Sequence, residues 1–348
     1  MATELNMQYI VDTLVHIAKM PSPPGYTDKV IAFIQGEFEK MGLMTRLLNK
    51  GGLIATLPGK NDDEHRTLSG HVDALGAMVK EVKSNGRLKF TQLGGYMFNS
   101  VEGEHCTIIT GSGKKYTGTI LTTKQSAHVY GQDAGKLERI EANMEIRLDE
   151  VVKSKEDVLA LGIGVGDIVA LDPRTTVTPS GFIKSRHLDD KASVAGLLGV
   201  AKYLTENELP PARTTHFFIT TFEEVGHGAT VGTPEKTTEF LAVDMGCIGE
   251  GLSCTEFDVS ICAKDSSGPY NLELRRKLTE LAQQESLPFA VDVYPFYGSD
   301  ASAALRAGTD VRAALIGPGV DASHAHERTH KSALEATAKL CIGYLLSK

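Results

Sequence analysis

The chain has 348 residues, of which 41% are hydrophobic and 23% charged, with a formal net charge of -8. That length exceeds a typical single domain and allows a substantial core, so one large domain and one smaller one are expected. A pI near 5.8 leaves no broad basic field, which argues against a nucleic-acid backbone or an anionic membrane as partner and in favour of a small or peptide substrate.

Cys106, Cys247, Cys254, Cys262 and Cys341 are odd in number and include no Cys-x-x-Cys pair. They read as thiols of a reducing compartment, not as a disulfide framework or a zinc knuckle. The opening MATELNMQYIVDTL carries Glu4 and Asp12 and no basic stretch ahead of an apolar run, so no secretory signal is read. No apolar run reaches the ~18 residues of a membrane span, and the expected location is the cytoplasm.

In chain order, apolar residues at spacings of three and four predict a helix over Leu5 to Lys19, broken by Pro21-Ser22-Pro23-Pro24-Gly25. A second amphipathic helix is predicted from Asp28 to Met41. Strand-like runs follow at Leu53 to Leu57 and Thr67 to Gly70, the second leading into His71-Val72-Asp73. From about Met78 to Pro173 the helical periodicities disappear. Short β-type runs alternate there with glycine turns at Gly94-Gly95, Gly103, Gly111 to Gly113, Gly131 and Gly162 to Gly166, the pattern of a small barrel or sandwich. Within it, Gly111-Ser112-Gly113-Lys114-Lys115 lacks the strand-to-helix setting of a phosphate loop and reads as a hairpin turn.

After Gly181 helices and strands alternate again. Helices are predicted over Asp190 to Leu204, Asn271 to Gln284 and Lys331 to Leu346, and strands over Thr215 to Thr221, Leu241 to Asp244, Phe257 to Ala263 and Val311 to Leu315. Such alternation implies a mostly parallel sheet flanked by helices, with active groups beyond the carboxyl ends of its strands. The expected division is a catalytic α/β domain of residues 1–75 and 176–348, with a β-rich insertion at 76–175.

The candidate chemistry falls in separated clusters: His71-Val72-Asp73, Asp189-Asp190, Glu223-Glu224, Asp244, and the three histidines between Ser323 and His330. Singly, each has an ordinary reading as a hydrogen-bonded pair, an acidic helix cap, a solvated loop or a turn. Together they crowd carboxylates at neighbouring strand ends, where low dielectric makes the repulsion severe unless cations bind. Imidazole mixed with carboxylate suits zinc, cobalt or manganese and argues against calcium. In the pair Glu223-Glu224, one carboxylate can bind metal while its neighbour takes a proton from water. Ser299 has no base placed beside it and reads as a small residue near the substrate.

His71-Val72-Asp73, Leu188-Asp189-Asp190-Lys191, Glu223-Glu224-Val225-Gly226, Val243-Asp244 and Gly298-Ser299-Asp300-Ala301 share a common order and spacing with one family. In these motifs the chain resembles the dinuclear metallo-aminopeptidases that assemble as tetrahedral dodecamers: the glutamyl and deblocking aminopeptidases and the FrvX-type proteins. The likeness extends through the insertion, where Leu93-Gly94-Gly95 and Gly166-Asp167-Ile168 are similar to the family. It implies a zinc-exopeptidase-like α/β domain with an inserted small β-barrel, the barrel joining dimers that build a dodecamer.

The resemblance further implies two divalent metal ions per subunit, zinc, cobalt or manganese. One is held by His71, Asp189 and Asp244, the other by Asp189, Glu224 and a C-terminal histidine, with Asp189 bridging. Asp73 accepts the free ring N–H of His71, and Glu223 serves as general base and then as acid toward the departing amine. The implied reaction removes N-terminal residues from short peptides. An amidase or deacylase acting on a small acylated amino acid or dipeptide stays open, as does a non-catalytic metal-binding assembly protein.

The last ligand comes from the stretch SHAHERTH. Matching Glu327 and the helix start at Leu334-Glu335 to the family favours His324, with His326 and His330 as alternatives. His326-Glu327-Arg328-Thr329-His330 also spells the HExxH motif of zinc proteases, which requires a helix. Helical periodicity begins only after His330, so this reading is a rival with poor support.

Overall fold

Arg66 to His71 are buried without a break, the pattern of a strand covered on both faces. In the computed structural model, which describes residues 4–348 and leaves Met1, Ala2 and Thr3 outside the described residues, this stretch lies in the strand Asn61–His71. Its parallel neighbours are Arg213–Thr220 on one side and Thr237–Val243 on the other. Arg312–Val320 pairs in parallel with the latter. Antiparallel Leu53–Leu57 and Met44–Leu47 extend one side, and Val259–Asp265 with Phe289–Val293 the other, within a ten-stranded sheet. The sheet is mixed and parallel through its centre.

One face is covered by the helix Leu188–Glu206, packed between Met7–Ala18 and Lys331–Leu346. Leu14, Leu197, Leu204, Leu340 and Tyr344 share a core with Leu68, Phe217, Leu241 and Ile316 of the strands. Burying each Leu or Ile side chain is worth about 1.5–3 kcal/mol, which holds these helices to the sheet. The opposite face buries Phe218, Phe240 and Leu315 against Ala301 and Ala304 of the short helix Asp300–Arg306.

Gly76–Val82, Leu88–Leu93, His105–Ile109, Lys115–Thr122, Met144–Leu148 and Ile168–Leu171 close into an antiparallel barrel around Val79, Phe90, Ile108, Ile120, Ile146 and Val169. Gly111 to Lys114 turn the hairpin between His105–Ile109 and Lys115–Thr122, with Gly113 at φ 82°. No helix follows the turn, which removes the phosphate-loop reading. Beyond the barrel, Thr176–Val177, Phe182–Ser185 and Glu327–His330 form a small antiparallel sheet. No described helix is long and apolar enough to cross a membrane, and the cysteines are unpaired.

The strands Met44–Leu47 and Phe289–Val293 and the helix Asp300–Arg306 were not expected from the sequence. Each is too short to show a period. The helix is marked instead by its cap: Ser299 accepts from the Ser302 N–H, and the Ser302 hydroxyl accepts in return from the Ser299 N–H.

Candidate metal centre

The carboxyl ends of three central strands meet at one place, as parallel sheets require. Asn61–His71 ends in His71, Arg213–Thr220 leads into Glu223 and Glu224, and Thr237–Val243 into Asp244. Asp189 enters from the start of the long helix, whose regular turns begin after it; its φ/ψ and those of Asp190 are non-helical and the peptide bond joining them is cis. Asp189 Oδ1 lies 3.1 Å from His71 Nε2 and its Oδ2 lies 3.3 Å from His324 Nε2. Glu224 Oε2 is 3.7 Å from His324 Nε2, and Glu223 Oε2 is 3.8 Å from His71 Nε2. Asp189, Glu223, Glu224, Asp244 and His324 line a cavity of about 240 Å³. A larger cleft of about 760 Å³ between the barrel and the first helix contains none of them.

Two overlapping ligand sets emerge. His71, Asp189 and Glu224 have donor atoms within 4.8 Å of one another, and so do His71, Asp190 and Asp244. Within the second set, Asp190 is already engaged: its Oδ2 accepts the backbone N–H of His71 at 3.0 Å. Asp190 therefore braces the strand end, while Asp189 faces the open space.

The surroundings fix each side chain. His71 Nδ1 donates to the carbonyl oxygen of Asp73 at 3.0 Å, and the Asp73 carboxylate is farther off at 3.6 Å. The Asp73 carboxylate accepts the backbone N–H groups of Glu223 and Glu224, each at 3.1 Å. Asp244 donates its own N–H to Ile316 O at 2.9 Å. Gly317 makes that approach possible, since a Cβ there would sit 1.2 Å from the Asp244 carbonyl oxygen. His324 Nδ1 is hydrogen-bonded to Gly95 O in the barrel, which turns Nε2 toward Asp189. Asp300 accepts from Thr220 Oγ1 at 2.6 Å and from Ala229 N at 2.9 Å, tying together both ends of the loop that carries Glu223 and Glu224.

The electrostatics describe a site short of positive charge. Burial pushes the carboxyls of Glu223 and Glu224 well above their usual range, with neighbouring carboxylates adding to the effect, and lifts Asp244 to about 7. Burial opposes charge on Asp189 too, but hydrogen bonds from His324 and His71 hold its carboxyl below the ordinary value. Burial disfavours a charged ring at both histidines, yet contacts with Asp189 raise His71 well above its usual range and His324 to about 10. The nearby lysines do not neutralise the cluster: Lys191 Nζ donates to Met20 O and burial lowers it to about 7, while Lys50 Nζ donates to carbonyls of His227 and Gly228.

These residues fit divalent cations. Imidazole and carboxylate donors converge from separate elements, and Glu224 Oε1 is buried without a hydrogen-bond partner, as a ligand oxygen would be. The rival zinc-protease motif does not form. Glu327 to His330 make a strand, not a helix, His330 is hydrogen-bonded to Ser332 Oγ and Ser180 O, and of the three C-terminal histidines His324 is the one placed beside Asp189 and Glu224. Ser299 is likewise occupied, capping its helix and meeting Tyr270 Oη at 2.7 Å.

Several contributors were missed in the sequence. Asp190 reads there as a helix cap and Glu327 as part of a spurious motif. The roles of Asp300 and Gly95 depend on long-range contacts that no local pattern encodes. Only the Gly-Ser-Asp-Ala and Leu-Gly-Gly motifs hinted at two of them.

Comparison with known proteins agrees with this construction. Residues 51–340 match the family model described as M42 glutamyl aminopeptidase. The chain is 53% identical to the protein YhfE of Bacillus subtilis (strain 168) over 337 residues, 97% of each chain. It is 25% identical to the glutamyl aminopeptidase of Lactococcus lactis subsp. cremoris (strain MG1363) over 264 residues, 72% of this chain and 73% of the relative. Among solved structures, aminopeptidase APDkam598 from the archaeon Desulfurococcus kamchatkensis superposes with a TM-score of 0.88 at 20% identity, covering 97% and 95% of the two chains. The TET1 peptidase of Pyrococcus horikoshii, described as able to assemble into a tetrahedron or a large octahedral shell, gives 0.85 at 22% identity, covering 97% and 100%; both likenesses concern the fold. With its donor cluster in the place the fold prescribes, the chain belongs to the M42 glutamyl aminopeptidase family and is a metal-dependent aminopeptidase.

Proposed function

We propose that this enzyme removes the N-terminal residue from short peptides at a dinuclear centre. His71, Asp189 and Asp244 would hold one divalent ion, and Asp189, Glu224 and His324 the other, with zinc, cobalt or manganese suited to the donors. The observation that carries this reading is Asp189, which turns one carboxylate oxygen to each imidazole. Bound ions of this kind acidify water, polarise a carbonyl and attract a free amino group.

The chain's own residues then divide the work. Glu223, beside His71 and anchored through its backbone, its N–H to Asp73 and its carbonyl to Gly226 N, takes a proton from the attacking water as the water oxygen bonds to the scissile carbonyl carbon. It returns that proton to the departing amine nitrogen as the C–N bond breaks. Asp73 holds Glu223 and Glu224 in register, and Tyr297, Ser299 and Phe296 flank the space for the first side chain.

Further parts of the reading concern the whole particle. Residues 76–175 form the insertion and 1–75 with 176–348 the catalytic domain, and exposed Val129, Ile140 and Val165 of the insertion suit contacts that pair subunits into dimers and larger shells. The unpaired thiols suit a cytoplasmic setting.

Apoprotein reloaded with zinc, cobalt or manganese and assayed on free-amine and N-blocked dipeptides tests the proposal. Hydrolysis of free-amine peptides, reduced about 10²–10⁴-fold in Glu223→Gln with metal content unchanged, is expected. Hydrolysis of the blocked substrates alone would establish an amidase or deacylase instead.

A further inference from the structure

Glu327 is buried to 1% exposure, and its carboxyl group is held by main-chain donors. Three backbone N–H groups satisfy it: Oε2 accepts from Leu188 at 2.7 Å and from Asp189 at 3.2 Å, and Oε1 accepts from His324 at 3.1 Å. One carboxylate thus joins two segments separated by more than a hundred residues, each bearing a residue of the centre. Glu327 is itself held in the strand Glu327–His330, paired with Ser185 in register, and it does not line the cavity.

The segments it joins hold unusual backbone. His187, Ala322 and His324 are non-glycine residues with φ of 70°, 56° and 63°, a left-handed conformation that side chains disfavour. Such geometry persists where the surroundings impose it. Burying a carboxylate is expensive, and an apolar side chain in its place would leave the N–H groups of Leu188, Asp189 and His324 without acceptors.

We infer that Glu327 is a positioning residue of the metal centre, fixing Asp189 and His324 at their mutual spacing before an ion arrives and thereby setting affinity for the ion they share. This rests on the assignment of Asp189 and His324 as ligands.

The test is Co²⁺ titration of the full-length apoprotein against a competing chelator, followed by visible absorption, for wild type, Glu327→Gln, His324→Ala and Asp292→Asn. Gln keeps the shape of Glu327 but turns an NH₂ group toward at least one donor. Asp292, also buried and accepting two backbone N–H groups, from Ser253 and Cys254, lies outside the centre and reports general destabilisation. Expected is a loss of about 10–100-fold in affinity for the Co²⁺ equivalent that His324→Ala abolishes. Activity of Glu327→Gln should return at saturating Co²⁺, and Asp292→Asn should bind as wild type does.

Wild-type affinity in Glu327→Gln, or equal losses in Glu327→Gln and Asp292→Asn, would overturn the inference. Retention of both equivalents by His324→Ala would overturn the ligand assignment itself. If Glu327→Gln does not fold, amide exchange on wild-type apoprotein decides: protection of the Leu188, Asp189 and His324 amides matching the Co²⁺-loaded protein supports the tether, and fast exchange refutes it.

Discussion

His71 gives its Nδ1 proton to the main-chain carbonyl of Asp73, 3.0 Å away, with the Asp73 carboxylate farther off at 3.6 Å. The Asp73 carboxylate is free to hold the backbone of Glu223 and Glu224. Asp73→Asn retains one acceptor and sets an NH₂ group against the other N–H. The expected result is a fall in kcat of about 10–100-fold, with the ion held through His71 bound nearly as tightly as before. Steady-state kinetics paired with metal titration checks this. Loss of metal at the His71 site with normal turnover at saturating metal would show that the carboxylate serves the imidazole after all.

The metal-free protein should lose stability as pH rises. Asp244 is lifted by burial to about 7 and Glu327 to about 8, and His324, despite burial, is raised to about 10 by Asp189. Each therefore binds a proton more tightly folded than unfolded. Stability from these groups is present below their unfolded values and drains away as pH climbs, from about 4 to 8 for the acids and from about 6.5 to 10 for the histidine. Asp189 shifts the other way, with an effect below about pH 4, and Lys191, lowered by burial to about 7, adds stability above that pH in metal-free and metal-loaded protein alike, so the difference between the two reports the ligand groups. Metal ligands must shed these protons, so affinity rises over the same range. Melting temperatures of chelator-treated and metal-loaded protein between pH 5 and 9 should diverge as pH increases; parallel curves would contradict the argument.

The sequence was most legible where periodicity is long. The helices Asp28–Lys40 and Lys331–Leu346 lie close to their expected limits because a 3.6 repeat over many residues leaves little ambiguity. At the centre, His71, Asp189 and Glu224 stand out because several acids and imidazoles at element ends have few structural uses, whereas the choice of His324 among three histidines rests on the family resemblance. What stayed hidden was the support. Asp190 and Asp189 are neighbours of identical type, and only three-dimensional placement shows that the first holds backbone while the second faces the cavity. A sequence likewise does not separate the Asp73 carbonyl, 3.0 Å from the His71 ring, from the Asp73 carboxylate at 3.6 Å.

Arg306, at the last turn of the helix Asp300–Arg306, lines the same cavity as Glu223, His324 and Phe296. A guanidinium there favours a first residue with an acidic side chain, through a charge-assisted hydrogen bond. In a panel of dipeptides differing only in the first residue, acidic ones should lead. Arg306→Ala should reduce kcat/KM for them by about tenfold, equivalent to ~1.4 kcal/mol, and leave neutral residues nearly unaffected. An equal loss across the panel would remove Arg306 from the specificity determinants.

Away from the centre, Arg66 is fully buried and donates through Nε to Glu239 at 2.9 Å and through Nη1 to the carbonyls of Tyr344 and Ser347. Tyr344 Oη closes the set on Glu239 at 2.7 Å. This network fastens the end of the final helix to the amino-terminal side of the sheet, where no catalytic group lies. Glu239→Gln removes the countercharge from a buried guanidinium, so it should cost about 3–5 kcal/mol and leave kcat unchanged at temperatures where the protein is folded. Replacing the Arg66–Glu239 pair together by apolar residues of similar volume should recover much of that loss, because the uncompensated charge is then gone. Denaturant melts of the single and double variants measure both effects, and a double variant no more stable than Glu239→Gln would place the stabilisation in the helix-end carbonyl bonds of Arg66.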